Sequence, residues 1–335
     1  FVFTPDGIIM LHCVPRGPAI LSLGSINADF QVRLDEPLEG GLTLMGRDFV
    51  RLSGGKAANV AFLARRLGLA ALLIGRVGQD DLAEQAMAPL RQAGVDTRHV
   101  TCAPGSTGMS MIAVPPDGKK SIVLAGNANE SWDDAAVESM MAAIGEASKD
   151  SVLVVDLEIS AGVVAKALRF AEERGIRTVL DPSPPDRVEL ALLSHVHAVT
   201  PNVREAGRLT GVTVSDVDSA MRAAECLLKR GARVACIKLA DGGCVAAWKG
   251  GCVHIPSPDV HAVDATGAGD AFTAAFAVSL LEGGDPAQAA CYGVAASSCA
   301  VRAYGSQPSY PLRAEIEANL PAVQKTMQFH ANHSS

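Results

Sequence analysis

Short aliphatic and β-branched runs alternate along most of this chain with longer stretches whose apolar positions recur every three to four residues. The runs at 19–23, 71–75, 152–155, 178–180, 198–200 and 234–238 are apolar almost throughout, as strands covered on both faces are. Amphipathic segments at 57–67, 82–93, 133–144, 162–174 and 215–229 read as helices between them. Repeated strand–helix–strand units predict a layered α/β/α fold around a mostly parallel sheet, with right-handed crossovers. The last third changes character: 271–281, 286–301 and 312–320 read as consecutive helices on one flank of the sheet. Two stretches break the rhythm. Residues 30–52 alternate around Gly40-Gly41 without a helical period, and 108–125 reads as strand, Pro115-Pro116-Asp117-Gly118 turn, strand. Two such excursions predict a small second sheet acting as a lid. The expected division is therefore a main domain of 1–29, 53–106 and 126–322, a β-lid of 30–52 and 107–125, and a frayed tail of 323–335 that includes His330.

Composition narrows the classes. A chain of 335 residues, 48% hydrophobic and 19% charged, suits a packed globule and not a disordered segment. No apolar run reaches the length of a membrane-spanning helix. A formal charge of −7 argues against a nucleic acid or an anionic membrane as partner. The eight cysteines contain no C-x-x-C pair and read as buried thiols in a reducing compartment, the cytoplasm. Residues 1–18 read as an extension or a short lead-in strand. The pair Lys119-Lys120 reads as solvated.

Three segments carry candidate chemistry. Asp264-Ala265-Thr266-Gly267-Ala268-Gly269-Asp270 runs directly into a helix, and its small residues leave backbone N–H groups bare at the N-terminus, where a phosphate is favoured. Asp270 then either accepts a proton from an attacking hydroxyl or merely charges the first turn. Ser53-Gly54-Gly55-Lys56-Ala57-Ala58-Asn59 is a second glycine turn opening a helix, with neither Walker A nor G-x-G-x-x-G spacing. Lys56 and Asn59 lie three apart and either share a ligand or serve as a solvated lysine and a cap. Asn27 and Asp29 alternate onto one side of an extended segment after the first strand, suiting sugar hydroxyls or a polar turn.

Together, in this order, these segments resemble the ribokinase-like (PfkB) family of carbohydrate kinases, over about residues 19–311. The family's C-terminal signature, D-T-x-G-A-G-D, matches Asp264–Asp270 with Ala265 in place of threonine, and its G-G-K/N-x-x-N pattern matches Gly54 to Asn59. Its N-x-x-E motif matches Asn202-Val203-Arg204-Glu205, which in isolation reads as a helix cap. Lys238-Leu239-Ala240-Asp241-Gly242-Gly243 stands at its nucleotide-binding turn, with Ala240 for a glycine, and 75–83 resembles its G-x-V-G-x-D-x-x-G segment. Glu158, Thr107-Gly108 and Ala128-Asn129 are similar to the ribose-phosphorylating members. Ala57, where glycine is common, is the departure nearest the sugar.

The resemblance implies ATP-dependent phosphorylation of the terminal hydroxymethyl group of a small sugar, D-ribose before fructose or a nucleoside. A non-catalytic sugar or nucleotide sensor is the alternative from another class. Asp270 is the implied base, with Gly267, Ala268 and Gly269 forming the anion hole. Asn27, Asp29, Gly55, Lys56, Asn59 and Glu158 would bind the sugar. Asn202, Lys238, Leu239, Ala240, Asp241, Gly242, Gly243 and Gly269 would bind ATP, and Glu205 would organise the water shell of Mg²⁺. Asp264, Thr266, Ala300, Ala303, Gly305 and Ser309 match positions that hold K⁺, and the lid implies a homodimer.

Overall fold

The structure, a computed structural model, describes residues 17–38, 43–116 and 120–330, together with the backbone of two short strands, β1 (Val2–Thr4) and β2 (Gly7–Ile9), which pair antiparallel. Most of the expected lead-in, Gly40-Gly41, Asp117-Gly118, Lys119 and Cys13 lie outside the described residues. In chain order there follow β3 (Ile20–Leu23), β4 (Asn27–Leu34), β5 (Gly46–Gly54), α1 (Lys56–Arg66), β6 (Ala71–Val77), α2 (Asp81–Gln92), β7 (Asp96–Cys102), β8 (Gly108–Val114) and β9 (Ser121–Ala125). Then come α3 (Asp134–Glu146), β10 (Val152–Val155), α4 (Ala161–Glu173), β11 (Arg177–Leu180), β12 (Ala198–Val199), α5 (Val203–Thr210), α6 (Val217–Lys229) and β13 (Val234–Lys238). The chain ends with β14 (Cys244–Trp248), β15 (Gly251–Ile255), α7 (Ala268–Leu281), α8 (Pro286–Ala300), α9 (Arg313–Thr326) and β16 (Gln328–His330).

The fold is a three-layer α/β/α sandwich with a second, smaller sheet. The main sheet has ten strands in the order β16-β15-β14-β13-β12-β11-β10-β3-β6-β7, parallel from β13 to β7 and antiparallel at the β14–β16 edge. Its apolar runs are continuous because alternate residues feed two different cores. Leu73, Val152 and Val154 face one core with α1, α2, α7, α8 and α9. Leu72, Ile74, Leu153 and Val155 face the other with α3, α4, α5 and α6. The four-stranded lid runs β5-β4-β8-β9, and its strands reach further than the alternation suggested, since β4 begins at Asn27 and β5 ends at Gly54.

Two expectations need correction. The last helix does not stop before Pro321 but continues to Thr326, because Ile316 and Val323 on either side of the proline are both buried in the core. One missing backbone donor is tolerated when packing holds both ends. Nor is the segment after it frayed: Gln328 to His330 pair with β15 and cover an edge that would otherwise present unpaired backbone groups.

Candidate active site

Strands β3, β10, β11, β12 and β13 are parallel, so their carboxyl ends share one edge. From β3 the chain steps to β6 on one side and later to β10 on the other. Such a reversal of strand order opens a crevice outside the strand ends. The lid strands rise from this edge: Asn27 pairs with both Gly54 and Gly108 at their base. Asp80 fixes that base by accepting bonds from the Thr107 N–H and hydroxyl, which explains the aspartate of the 75–83 segment. A larger and a smaller cavity meet in the crevice, sharing Lys56, Asn202, Glu205 and Gly269.

The glycine loop before α7 lies where they meet. Gly267 is the helix cap at φ 75°, and a Cβ there would lie 2.6 Å from the Tyr310 hydroxyl, so glycine meets both a backbone and a space requirement. Ala268 does not offer a bare N–H as the sequence suggested. Its N–H turns back to the Ala265 carbonyl at 3.3 Å, because the loop tightens by one residue before the first helical bond. The N–H groups of Gly267, Gly269 and Asp270 have no backbone partner among the described residues. They are the donors available at the start of α7.

Asp270 sits in the first turn of α7 with its carboxylate turned into the crevice. Lys56 Nζ lies 3.3 Å from Oδ1, and Asn59 Nδ2 donates to Oδ2 at 2.7 Å. Gln307 holds Asn59 in turn, donating to its Oδ1 at 3.1 Å and to Ser53 Oγ at 3.0 Å. Lys56 also pairs with Asp181 at 3.4 Å, and Lys238 pairs with the other oxygen of Asp181 at 3.1 Å. Burial of Lys56 opposes its charge, but Asp181, Asp270, Glu158 and Glu205 outweigh it and hold its pKa well above the usual value. Burial likewise opposes ionisation of Asp181, and Lys238 and Lys56 reverse the sign and lower it. Lys56 therefore stays charged beside the α7 loop.

The larger cavity gathers all the expected sugar residues: Asn27, Asp29, Gly55, Lys56, Asn59 and Glu158. Gly55, at φ 91°, lets α1 begin against β3, since a Cβ would fall 2.4 Å from the Ser25 carbonyl. Asn129 Nδ2 donates to Asn27 Oδ1 at 2.8 Å and orients that amide. Ser110 on β8 donates to Asp29 at 2.5 Å. Burial, with help from Glu158 and Asp270, still pushes the Asp29 carboxyl up to about 7. Burial also raises Glu158. Carboxyls poised in this way can both accept and donate, which suits hydroxyl partners.

The smaller cavity is lined by Asn202, Lys238, Leu239, Ala240, Gly242 and Gly243. Asp241 is not on its wall; its carboxylate bends back to the Gly243 N–H at 2.9 Å and closes the turn. The structure shows the capping reading of the Asn202–Glu205 motif directly. The two residues form a reciprocal capping box on α5, and Glu205 still lines both cavities. Among the described residues no three His, Cys, Asp or Glu side chains converge on a metal position. The single Glu205 carboxylate lining both cavities fits a cation held mainly by water and substrate phosphates.

Asp264 is buried at 3% exposure beside the Gly305 loop. It accepts bonds from the Thr266 N–H and hydroxyl, the Gly305 N–H and Gln31 of the lid. Burial opposes its ionisation, but these donors lower its pKa. Ser309 donates to the Ser306 carbonyl, and Ala303 lies on an exposed turn. With both Asp264 oxygens engaged, a cation here would rely on carbonyl and hydroxyl oxygens.

Sequence reasoning missed Asp181, Ser110, Gln307 and Lys120. Asp181 had a signal, being the first residue after a strand end at the ligand edge; the others come from distant loops and the lid. Lys120 is corrected outright. It lines the larger cavity, and its Nζ donates to the Ala265 carbonyl at 3.2 Å.

The family model described as pfkB family carbohydrate kinase matches residues 18–313. The chain is 35% identical over 294 residues to the ribokinase of Haemophilus influenzae, covering 88% of this chain and 95% of that protein. It is 30% identical over 294 residues to the deoxyribokinase of Salmonella typhi, covering 87% and 95%. Among solved structures, Arabidopsis thaliana ribokinase complexed with ribose and ATP superposes with a TM-score of 0.77 at 27% identity, covering 90% of this chain and 98% of that one.

The buried Asp29 carboxyl yields a stability prediction. With its pKa raised from 3.8 to about 7, the folded protein keeps a proton between those values that the unfolded chain has lost. The group's contribution to stability therefore falls as pH rises through that window. Replacing Asp29→Asn should raise Tm more at about pH 8 than at about pH 4.5, while weakening sugar binding by about 10- to 100-fold. A Tm difference independent of pH would contradict the burial argument.

Proposed function

The chain belongs to the pfkB family of carbohydrate kinases and is an ATP-dependent sugar kinase; we propose that its substrate is D-ribose, phosphorylated on the hydroxymethyl oxygen O5. The observation that carries this reading is the juxtaposition of Asp270, held by Lys56 and Asn59, with the free N–H groups of the α7 loop at the junction of the two cavities. Asn27, Asp29, Asn59 and Glu158 offer the acceptors and donors that a small polyol needs. The wall opposite, Ile112, Ile122 and Leu124 on the lid, is aliphatic and offers no stacking ring for a nucleobase. The deoxyribokinase relative makes 2-deoxyribose the competitor to test.

In this reading ATP lies along the Asn202–Lys238–Gly243 cavity with its γ-phosphoryl group at the α7 loop. The sugar O5 forms a bond to phosphorus as the bond from phosphorus to the β–γ bridging oxygen breaks, and the O5 proton passes to Asp270. Loop N–H groups aimed at developing charge are worth about 2.7–4 kcal/mol each. Lys56 steadies Asp270 and shields the incoming phosphate from it. Mg²⁺, placed by Glu205 through water, would neutralise phosphate charge when bound with ATP. K⁺ would sit among the oxygens of Asp264, Thr266, Ala300, Ala303, Gly305 and Ser309, setting the shape of the loop.

The lid also supports a homodimer. Alternation gives it an inner face of Ser110, Ile112, Ile122 and Leu124 and an outer face that exposes Phe49, Met111 and Val123. An apolar outer face on a thin sheet needs a cover, and a second copy supplies one. The seven described cysteines are all unpaired, which suits a reducing compartment such as the cytoplasm.

Assay of ATP turnover on ribose, 2-deoxyribose, fructose and adenosine tests the substrate directly. Ribose should give the highest kcat/KM, and a different preferred sugar would overturn that choice. Asp270→Ala should lower kcat by about 10²–10⁴ with folding unchanged, and near-normal turnover would remove it from the chemistry. Replacing K⁺ by a bulky organic cation should cut activity severalfold; indifference would refute the Asp264 loop as a cation site. Sedimentation should show a dimer that Val123→Glu converts to a monomer, and a native monomer at assay concentration would refute the lid interface.

A further inference from the structure

Lys120 precedes β9, so the lid carries it, yet its ammonium group reaches the loop that forms the anion hole. Its single described hydrogen bond is to the Ala265 carbonyl at 3.2 Å, the same oxygen that takes the Ala268 N–H. Within 4 Å it has no carboxylate partner among the described residues, although Asp270, Asp264 and Asp29 all act on it electrostatically. Burial lowers its pKa, and those three carboxylates oppose the shift. An ammonium group has three donors. Two of them are free to point into the cavity that Asp270 and Gly267 also line. The other two lysines of the site are differently placed: Lys56 and Lys238 are each committed to Asp181.

We propose that Lys120 is a catalytic residue, the cation that the lid delivers to the transferring phosphoryl group. On closure its free N–H groups meet the phosphoryl oxygens from the lid side, opposite the N–H groups of Gly267, Gly269 and Asp270. As the O5–phosphorus bond forms and the phosphorus–bridging-oxygen bond breaks, Lys120 keeps its protons; the proton released by O5 goes to Asp270. Closure over the sugar and completion of the phosphate site thus become one event. The Ala265 carbonyl holds the ammonium group beside the place where it acts.

The inference rests on the sugar-kinase reading but not on the identity of the sugar. Lys120→Met and Lys120→Arg are compared with the parent in three measurements: kcat, the Kd of the sugar alone, and the Kd of MgADP with aluminium fluoride in the presence of sugar. For Lys120→Met, kcat should fall by about 10²–10³ and the aluminium fluoride complex should weaken in parallel. Its sugar Kd should stay within about threefold, which also shows that pocket and lid are intact. Lys120→Arg should recover most of the loss. Turnover of Lys120→Met within threefold of the parent, or a sugar Kd that weakens as much as kcat falls, would overturn the proposal. If the parent prefers another sugar, the ribose reading falls and the same comparison on that sugar still decides the role of Lys120.

Discussion

Everything in this site depends on keeping a carboxylate at a helix N-terminus that must also receive a phosphate. Asp270 and a phosphoryl group carry like charges, and the N–H groups of the α7 loop attract both. The structure resolves the conflict with a row of alternating charges: Lys238, Asp181, Lys56 and Asp270 lie in sequence, each within 3.4 Å of the next. Lys56 pairs with one oxygen of Asp270, and Asn59 fixes the other. Both oxygens of the carboxylate are therefore held by neighbouring side chains. Removing Asp181, the inner carboxylate of this row, would leave Lys238 without its carboxylate partner, a loss of about 3–5 kcal/mol.

The fold is arranged to bring those four residues together. Lys238 ends β13, Asp181 follows β11, Lys56 opens α1 and Asp270 opens α7. The parallel sheet places the first two at one edge, and the two glycine turns allow the helices to start against it. The lid also touches the stretch before α7. Gln31 donates to Asp264 at 2.7 Å, and Lys120 donates to Ala265 at 3.2 Å. Both contacts reach the stretch that leads into Gly267, so the position of the lid and the shape of the anion hole are physically linked. That linkage suits an enzyme in which water competes with the sugar for the phosphoryl group.

Much of this was legible in the sequence for identifiable reasons. The six apolar runs were found because both faces of the central strands are buried, which removes polar interruptions. Gly267 and Gly55 stood out because their backbone and spatial demands exclude other residues. The strands β7, β14, β15 and β16 escaped notice: β7 and β16 are mixed in polarity, and β14 follows β13, and β15 follows β14, without the intervening helix that marks the other strands. Lys120 was misread because two adjacent lysines in a polar turn look solvated; only the pairing of β9 with β8 turns one of them inward. Asp181, Gln307 and Ser110 gain their roles from partners as many as 254 positions away, a distance that no local pattern encodes. Ala268 was assigned a bare N–H from helix geometry alone, and the loop spends that donor on Ala265.

The central claim is that the α7 loop amides hold the transferring phosphoryl group while the Asp270 carboxylate holds the sugar hydroxymethyl oxygen that attacks it. A crystal structure with sugar, MgADP and aluminium fluoride tests it most directly. The account predicts the fluoride group within hydrogen-bond reach of the N–H groups of Gly267, Gly269 and Asp270, with the sugar hydroxymethyl oxygen on the Asp270 carboxylate. A fluoride group bound elsewhere, or a sugar whose hydroxymethyl oxygen points away from Asp270, would contradict it.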